Sequence, residues 1–236
     1  MEIEKYYTNL GGTFVTPLHQ IKIKLQNIKA ILFDWDGVFN NGTKSANGGS
    51  NFSEVDSMGT NLLRYSHFLK TKQLPITGVI SGEKNETALY FCKRERFNYS
   101  FFKVANKMLA LNFICENNNI KPHEVAYFFD DVLDLSVAEL CGIRIQINQK
   151  SNPLFINYCI KNKLVDYLTA SSGGNFAVRE ATELLMGIND TFDKVIADRK
   201  STTAEYKTYI EKRNTVETTF YTVIDNQISP VDILTA

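Results

Sequence analysis

The chain has 236 residues, 44% of them hydrophobic, which suffices for one sizeable core and suits one domain with an appendage. Lysine plus arginine equals aspartate plus glutamate at 26 each, so no bulk charge argues for nucleic acid or an anionic membrane, and a small-molecule partner is the default. Cys92, Cys115, Cys141 and Cys159 lie in apolar segments with no CxxC pair and no histidine at metal-ligand spacing, so they read as buried free thiols of a cytoplasmic protein.

In chain order, residues 1–27 form a polar lead-in without a basic region followed by an apolar core, which points away from a secretory signal. No apolar run approaches the roughly 20 residues needed to span a bilayer. Strand-like runs then recur at Ala30 to Phe33, Ile76 to Ile80, Tyr99 to Val104, Val125 to Phe129 and Ile143 to Ile147. Segments of helical spacing lie between most of them: Met58 to Leu69, Thr87 to Phe97, Lys107 to Cys115 and Val132 to Leu140, with Gly142 as a helix stop. This alternation predicts an α/β fold, a parallel sheet with helices on both faces. Gly37 to Phe52, rich in turn residues, reads as a β-hairpin flap. The plan is a lead-in over 1–27, an α/β domain over 28–188, and a helical or partly disordered extension over 189–236, with weak spacing through Phe192, Val195, Ile196, Tyr206 and Ile210.

Ligands of open parallel sheets bind beyond the carboxyl ends of the strands. Each strand here ends on a polar group: Asp34 and Asp36 after the first, Ser81 after the second, Lys103 or Lys107 after the third, and Asp130, Asp131 and Asp134 after the fourth. Clustered carboxylates repel unless a cation lies between them, and a hard divalent ion such as Mg2+ takes oxygen ligands and is often shared with a substrate phosphate. A carboxylate can attack phosphorus, a neighbour can move the proton, and a hydroxyl and a lysine can hold the phosphoryl oxygens. Taken singly, each group has a plainer reading, since Asp131 or Ser81 is equally placed to cap the helix that follows.

The run DWDGVF, with VIS, a lysine and FFDDVLD downstream, resembles the haloacid dehalogenase (HAD) superfamily of phosphatases. From about Ile21 to Gly187 the chain looks more specifically like the 3-deoxy-D-manno-octulosonate 8-phosphate (KDO 8-P) phosphatase group, which includes phosphatases of nine-carbon sugar acids and a domain fused to animal CMP-sialate synthetases. The flap ending FSEVDSMG, the lysine of VANKMLAL and the late GGNFAVRE carry that closer likeness. The resemblance implies a Rossmann-like HAD fold and a phosphatase working through an aspartyl-phosphate. Asp34 would be the nucleophile and Asp36 the general acid/base. Ser81, Gly82 and Lys107 would bind phosphate, with Lys103 the alternative to Lys107. Mg2+ would be held by Asp34, the Asp36 backbone carbonyl and Asp130, with Asp131 or Asp134 in support. Arg179 would grip an anionic substrate.

The intervals between motifs hold no cap domain, and the resemblance implies a homotetramer whose neighbours cover each site. Three positions depart from the group's pattern: Glu83 replaces an arginine, Phe129 a glycine, and Asn41 a common carboxylate in the loop. Glu83 either disfavours the usual eight-carbon substrate or pairs with a cation such as Lys84. Two readings follow: a phosphatase of a phosphorylated sugar acid, or a non-catalytic relative that keeps the fold for a tetramerising or regulatory role.

Overall fold

The computed structural model describes residues 2–44 and 49–232. Ahead of the first predicted strand it places helix α1 (Glu2–Leu10), strand β1 (Thr13–Phe14) and helix α2 (Leu18–Leu25). The central units follow: β2 (Ala30–Phe33), α3 (Glu54–Thr71), β3 (Ile76–Ile80), α4 (Glu86–Glu95), β4 (Tyr99–Phe101), α5 (Lys107–Asn118), β5 (Val125–Phe129), α6 (Leu135–Ala138) and β6 (Ile143–Asn148). Then come α7 (Pro153–Lys161), β7 (Tyr167–Ser172), α8 (Ala177–Ile188), α9 (Phe192–Ser201), α10 (Ala204–Asn214), β8 (Thr219–Ile224) and β9 (Gln227–Pro230).

The strands form a nine-stranded sheet ordered β1-β7-β6-β5-β2-β3-β4-β8-β9. The pairs β1–β7 and β8–β9 at its two ends are antiparallel, and the rest are parallel. The period-two alternation of a strand explains the unbroken apolar runs. In β2, Ile31 and Phe33 enter a core with α3 and α8, while Ala30 and Leu32 enter a second core with α5 on the opposite face. Ser53, Asn85 and Asn106 cap α3, α4 and α5 by accepting backbone N–H bonds. All four cysteines are buried and free.

Several sequence expectations are corrected. The Gly37–Phe52 segment contains no strand among its described residues, and the tip of the expected hairpin, residues 45–48, lies outside them. Its polar residues instead bond back to the first loop, as shown below. The third predicted strand stops at Phe101, where Lys103 turns left-handed at φ 55°. The helix expected from Val132 is a 3-10 turn over Val132–Asp134 followed by the short α6. Gly142 is a close-approach position, since a Cβ there would meet the His123 carbonyl oxygen at 2.0 Å. After two helices, residues 219–230 form a hairpin that continues the sheet through β4, where helical spacing alone suggested no strand.

Candidate active site

Three central strands aim their carboxyl ends at one cavity of about 670 Å³, lined by Asp34, Asp36, Ser81, Lys107, Asp130 and Asp134 among others. Parallel pairing of β2 with both β3 and β5 fixes this convergence, because it brings all three strand ends to one rim. The Asp34 backbone N–H donates to the Phe128 carbonyl at 2.9 Å, extending the β2–β5 ladder into the first loop.

At the cavity floor, Lys107 Nζ lies 2.6 Å from Asp34 Oδ1 and 2.6 Å from Asp134 Oδ1. Tyr127 donates its hydroxyl to that same Asp134 oxygen. Asp34, Asp130 and Asp134 each offer an oxygen within 4.8 Å of the others. One buried cation therefore faces three carboxylates. Burial, then the charge of Asp134, pushes the Asp34 carboxyl upward despite Lys107. Burial and the charges of Asp34, Asp134 and Asp131 push Asp130 up further. Burial opposes the charge on Lys107, but Asp34 and Asp134 outweigh it and hold the ammonium form. Surplus negative charge on oxygen donors fits a hard divalent cation.

Gly37 accounts for how Asp130 gets so close. It adopts φ +83°, and a Cβ there would stand 1.9 Å from Asp130 Oδ2. Gln149, just past the end of β6, donates to the Gly37 carbonyl at 2.7 Å and to Asp130 Oδ2 at 3.2 Å. Buried Asn40 staples the loop, accepting from Gly37 N at 3.3 Å and Gly42 N at 2.8 Å and donating to the Trp35 carbonyl at 3.2 Å. The GGN turn presses on the same loop, for a Cβ on Gly173 would meet the Gly37 carbonyl oxygen at 1.9 Å.

Asp36 stands apart from the three-carboxylate floor. Its Oδ1 accepts from Ser50 Oγ at 2.5 Å, and its Oδ2 pairs with Lys44 Nζ at 2.9 Å. Ser81 is buried and its Oγ accepts from Glu83 N at 3.3 Å, while Gly82 beside it opens onto empty space. Lys103 is exposed and does not line the cavity, which leaves Lys107 as the lysine at the floor. Asp131 lines the cavity but accepts from Val132 N at 2.7 Å, the helix-capping alternative, and Asp134 occupies the floor instead. Arg179 is not brought to the cavity. Its Nε pairs with Glu183 at 2.6 Å, four residues along α8, and its backbone N–H donates to Asp56.

The departures from pattern are accommodated locally. Phe129 points into the second core and stacks on Tyr127, centroids 6.1 Å apart, so its bulk does not enter the cavity. Asn41 lines the cavity and accepts from Thr43 N. Glu83 is exposed at the rim, and Lys84 pairs with Glu86 at 3.1 Å rather than with it. Sequence reasoning missed Asn40, Ser50 and Gln149. Gln149 was within reach of the strand-end rule had the rule been carried to the fifth predicted strand.

No protein-family model matches the chain. Among curated proteins it is 28% identical over 163 residues to the KDO 8-P phosphatase KdsC of Escherichia coli K12, covering 69% of this chain and 81% of that one. To the KdsC of Salmonella typhimurium LT2 it is 27% identical over 166 residues, covering 70% and 83%. A Moraxella catarrhalis KDO 8-P phosphatase, solved with magnesium, phosphate and KDO, superposes with a TM-score of 0.62 at 24% identity over 76% of this chain and 97% of that one. A probable YrbI family phosphatase of Pseudomonas syringae pv. phaseolica gives 0.64 at 22% identity over 76% and 96%. In sequence and in fold, the chain resembles the KDO 8-P phosphatases of the haloacid dehalogenase superfamily.

Proposed function

We propose that this chain is a magnesium-dependent phosphomonoesterase that hydrolyses a phosphorylated sugar acid, of the KDO 8-phosphate or nonulosonate 9-phosphate type, through an aspartyl-phosphate. The observation that carries the reading is the floor of the cavity, where Asp34, Asp130 and Asp134 converge and the buried Lys107 pairs with Asp34 and Asp134. Asp34 and Asp130, with the Asp36 backbone carbonyl, are the groups to hold Mg2+, and Asp134 supports them. Bound there, magnesium would offset the surplus carboxylate charge and stabilise negative charge on phosphoryl oxygens.

The remaining steps fall to the chain's own residues. Asp34 attacks phosphorus, a bond forms between its carboxylate oxygen and phosphorus, and the ester P–O bond breaks. Asp36 gives its proton to the leaving oxygen. It then takes one from the water whose oxygen bonds to phosphorus as the bond from phosphorus to Asp34 breaks, so that inorganic phosphate leaves and Asp34 and Asp36 return to their starting forms. Lys107 holds Asp34 in place and, with the Ser81 hydroxyl, meets the phosphoryl oxygens. A homotetramer would cover the open cavity, and Arg179 would reach substrate only through such an assembly. No described helix is long and apolar enough to cross a membrane, and a cytoplasmic location is part of the proposal.

The test is phosphate release from a panel of sugar phosphates and sugar-acid phosphates, with and without magnesium, by the native protein and Asp34→Asn. Magnesium-dependent release that Asp34→Asn abolishes supports the reading. One observation favours the non-catalytic alternative: Glu83 brings a carboxylate to the rim with no cation of the described residues paired to it. A well-folded, magnesium-binding protein that releases phosphate from no substrate would decide for that alternative.

A further inference from the structure

The contacts of Asp36 form a chain that leads away from the cavity to the start of α4. Asn85 Oδ1 accepts from the backbone N–H groups of Thr87 and Ala88, at 3.0 and 3.4 Å, as the cap of that helix. This use of the oxygen settles which end of the amide is which, so Nδ2 is the end that meets Ser50 Oγ, at 2.9 Å. Ser50 then accepts from Asn85, and its one hydroxyl hydrogen goes to Asp36 Oδ1 at 2.5 Å. Both Asn85 and Ser50 are buried. Phe52, two residues after Ser50, packs on Phe91 of α4 with centroids 4.9 Å apart, which holds the flap's return on that helix.

We propose that Ser50, oriented by Asn85, is a positioning residue for Asp36. It occupies Oδ1 and so fixes the carboxyl rotamer, leaving Oδ2 as the oxygen turned to exchange with the leaving group and the attacking water. Oδ2 is the oxygen that meets Lys44, itself a residue lining the cavity. Nothing in the composition of the flap marks Ser50 for this task. The inference rests on the phosphatase reading and on Asp36 as its acid, and it adds that the capped end of α4 sets the acid's direction.

Leaving-group dependence separates positioning from mere structural support, because p-nitrophenolate departs with little help from a proton whereas an alkoxide needs one. The experiment compares kcat/KM for p-nitrophenyl phosphate and for glycerol phosphate in the native protein, Ser50→Ala, Ser50→Thr and Asp36→Asn, each with a thermal melt and a magnesium titration. We expect Ser50→Ala to lose roughly tenfold or more on the alkyl ester and no more than about threefold on the aryl ester. Asp36→Asn should show the same asymmetry more strongly, and Ser50→Thr should restore the alkyl rate. Equal loss on both esters, or no loss on either, overturns the inference while leaving the phosphatase reading intact. Where glycerol phosphate is not turned over, the alkyl arm is read on the sugar-acid phosphate that is. A native protein inert toward every ester of the panel, yet folded and binding magnesium, would instead overturn the phosphatase reading and this inference with it.

Discussion

Two sites in this protein bury aspartates among cations, and they do so in opposite ways. Asp166, fully buried, accepts from Thr16 Oγ1 at 2.6 Å, Lys24 Nζ at 2.6 Å, and Arg144 through N, Nε and Nη2 at 2.8, 3.0 and 2.8 Å. Burial acts to raise its carboxyl, yet Arg144 and Lys24 overcome it and hold the group below the usual range. At the cavity floor three carboxylates converge around one lysine that pairs with Asp34 and Asp134, and Asp34 and Asp130 are held above that range. A buried charge with its partners complete is architecture, tying the N-terminal segment to β6. A buried charge left short of partners is a place prepared for something else to bind.

The largest expected effect breaks the comparison at the floor. Asp34→Asn should lower magnesium-dependent phosphate release by about 10^3-fold or more, while the metal-free protein keeps its fold and its stability holds or rises by ~1 kcal/mol, since one of three repelling carboxylates is gone. Asp166→Asn should do the reverse, leaving the chemistry of folded molecules alone but costing about 3 kcal/mol or more, because Arg144 and Lys24 lose a buried partner. Urea unfolding in chelator, beside phosphate release, checks both. Equal stability losses in the two variants would remove the distinction between the sites.

Acidity sharpens the same contrast at intermediate size. A carboxyl whose folded-state pKa is raised binds more protons folded than unfolded, so its ionisation costs stability as pH rises. Without metal, Asp34 and Asp130 should therefore make the protein less stable as pH climbs from about 4 toward neutrality, and millimolar magnesium should flatten or reverse that slope. Asp166 has the opposite sign. Its contribution is present above the ordinary carboxylate pKa of about 3.9 and is lost as pH falls through its depressed folded value. Thermal melts across pH in chelator and in magnesium read both arms, and a metal-independent profile would count against a cation at the floor.

How much of this was legible follows from how far each residue's role depends on its own strand. Asp34, Ser81 and Asp130 directly follow apolar runs buried on both faces, so sequence alone placed them at a common rim, and the structure brings them to one cavity with Lys107. Ser50 and Asn85 bond across 35 positions of sequence, and no periodicity encodes such a contact. The tail misled for a different reason. Thr219–Ile224 has the β-branched and aromatic composition of a strand, and Asp225 and Asn226 turn at φ 50° and 60°, but the charged helices before it set the expectation for the whole segment. Arg179 was read from its motif, and its bond to Glu183 is visible only as a helical i, i+4 pair once α8 is drawn.

The smallest expected effect lies at the rim, where Glu83 repeats the floor's imbalance in water. Exposed charges are screened, so one carboxylate there tunes affinity without deciding catalysis. A substrate with a second anion beyond its phosphate would pass Glu83, and Lys84 is engaged with Glu86 and does not offset it. Glu83→Arg should therefore raise kcat/KM for sugar-acid phosphates roughly three- to tenfold relative to neutral sugar phosphates, mostly through KM, with the gain shrinking at high ionic strength. An unchanged ratio would mean that the sugar body does not pass Glu83, and that the acidic rim lies outside the path of selection.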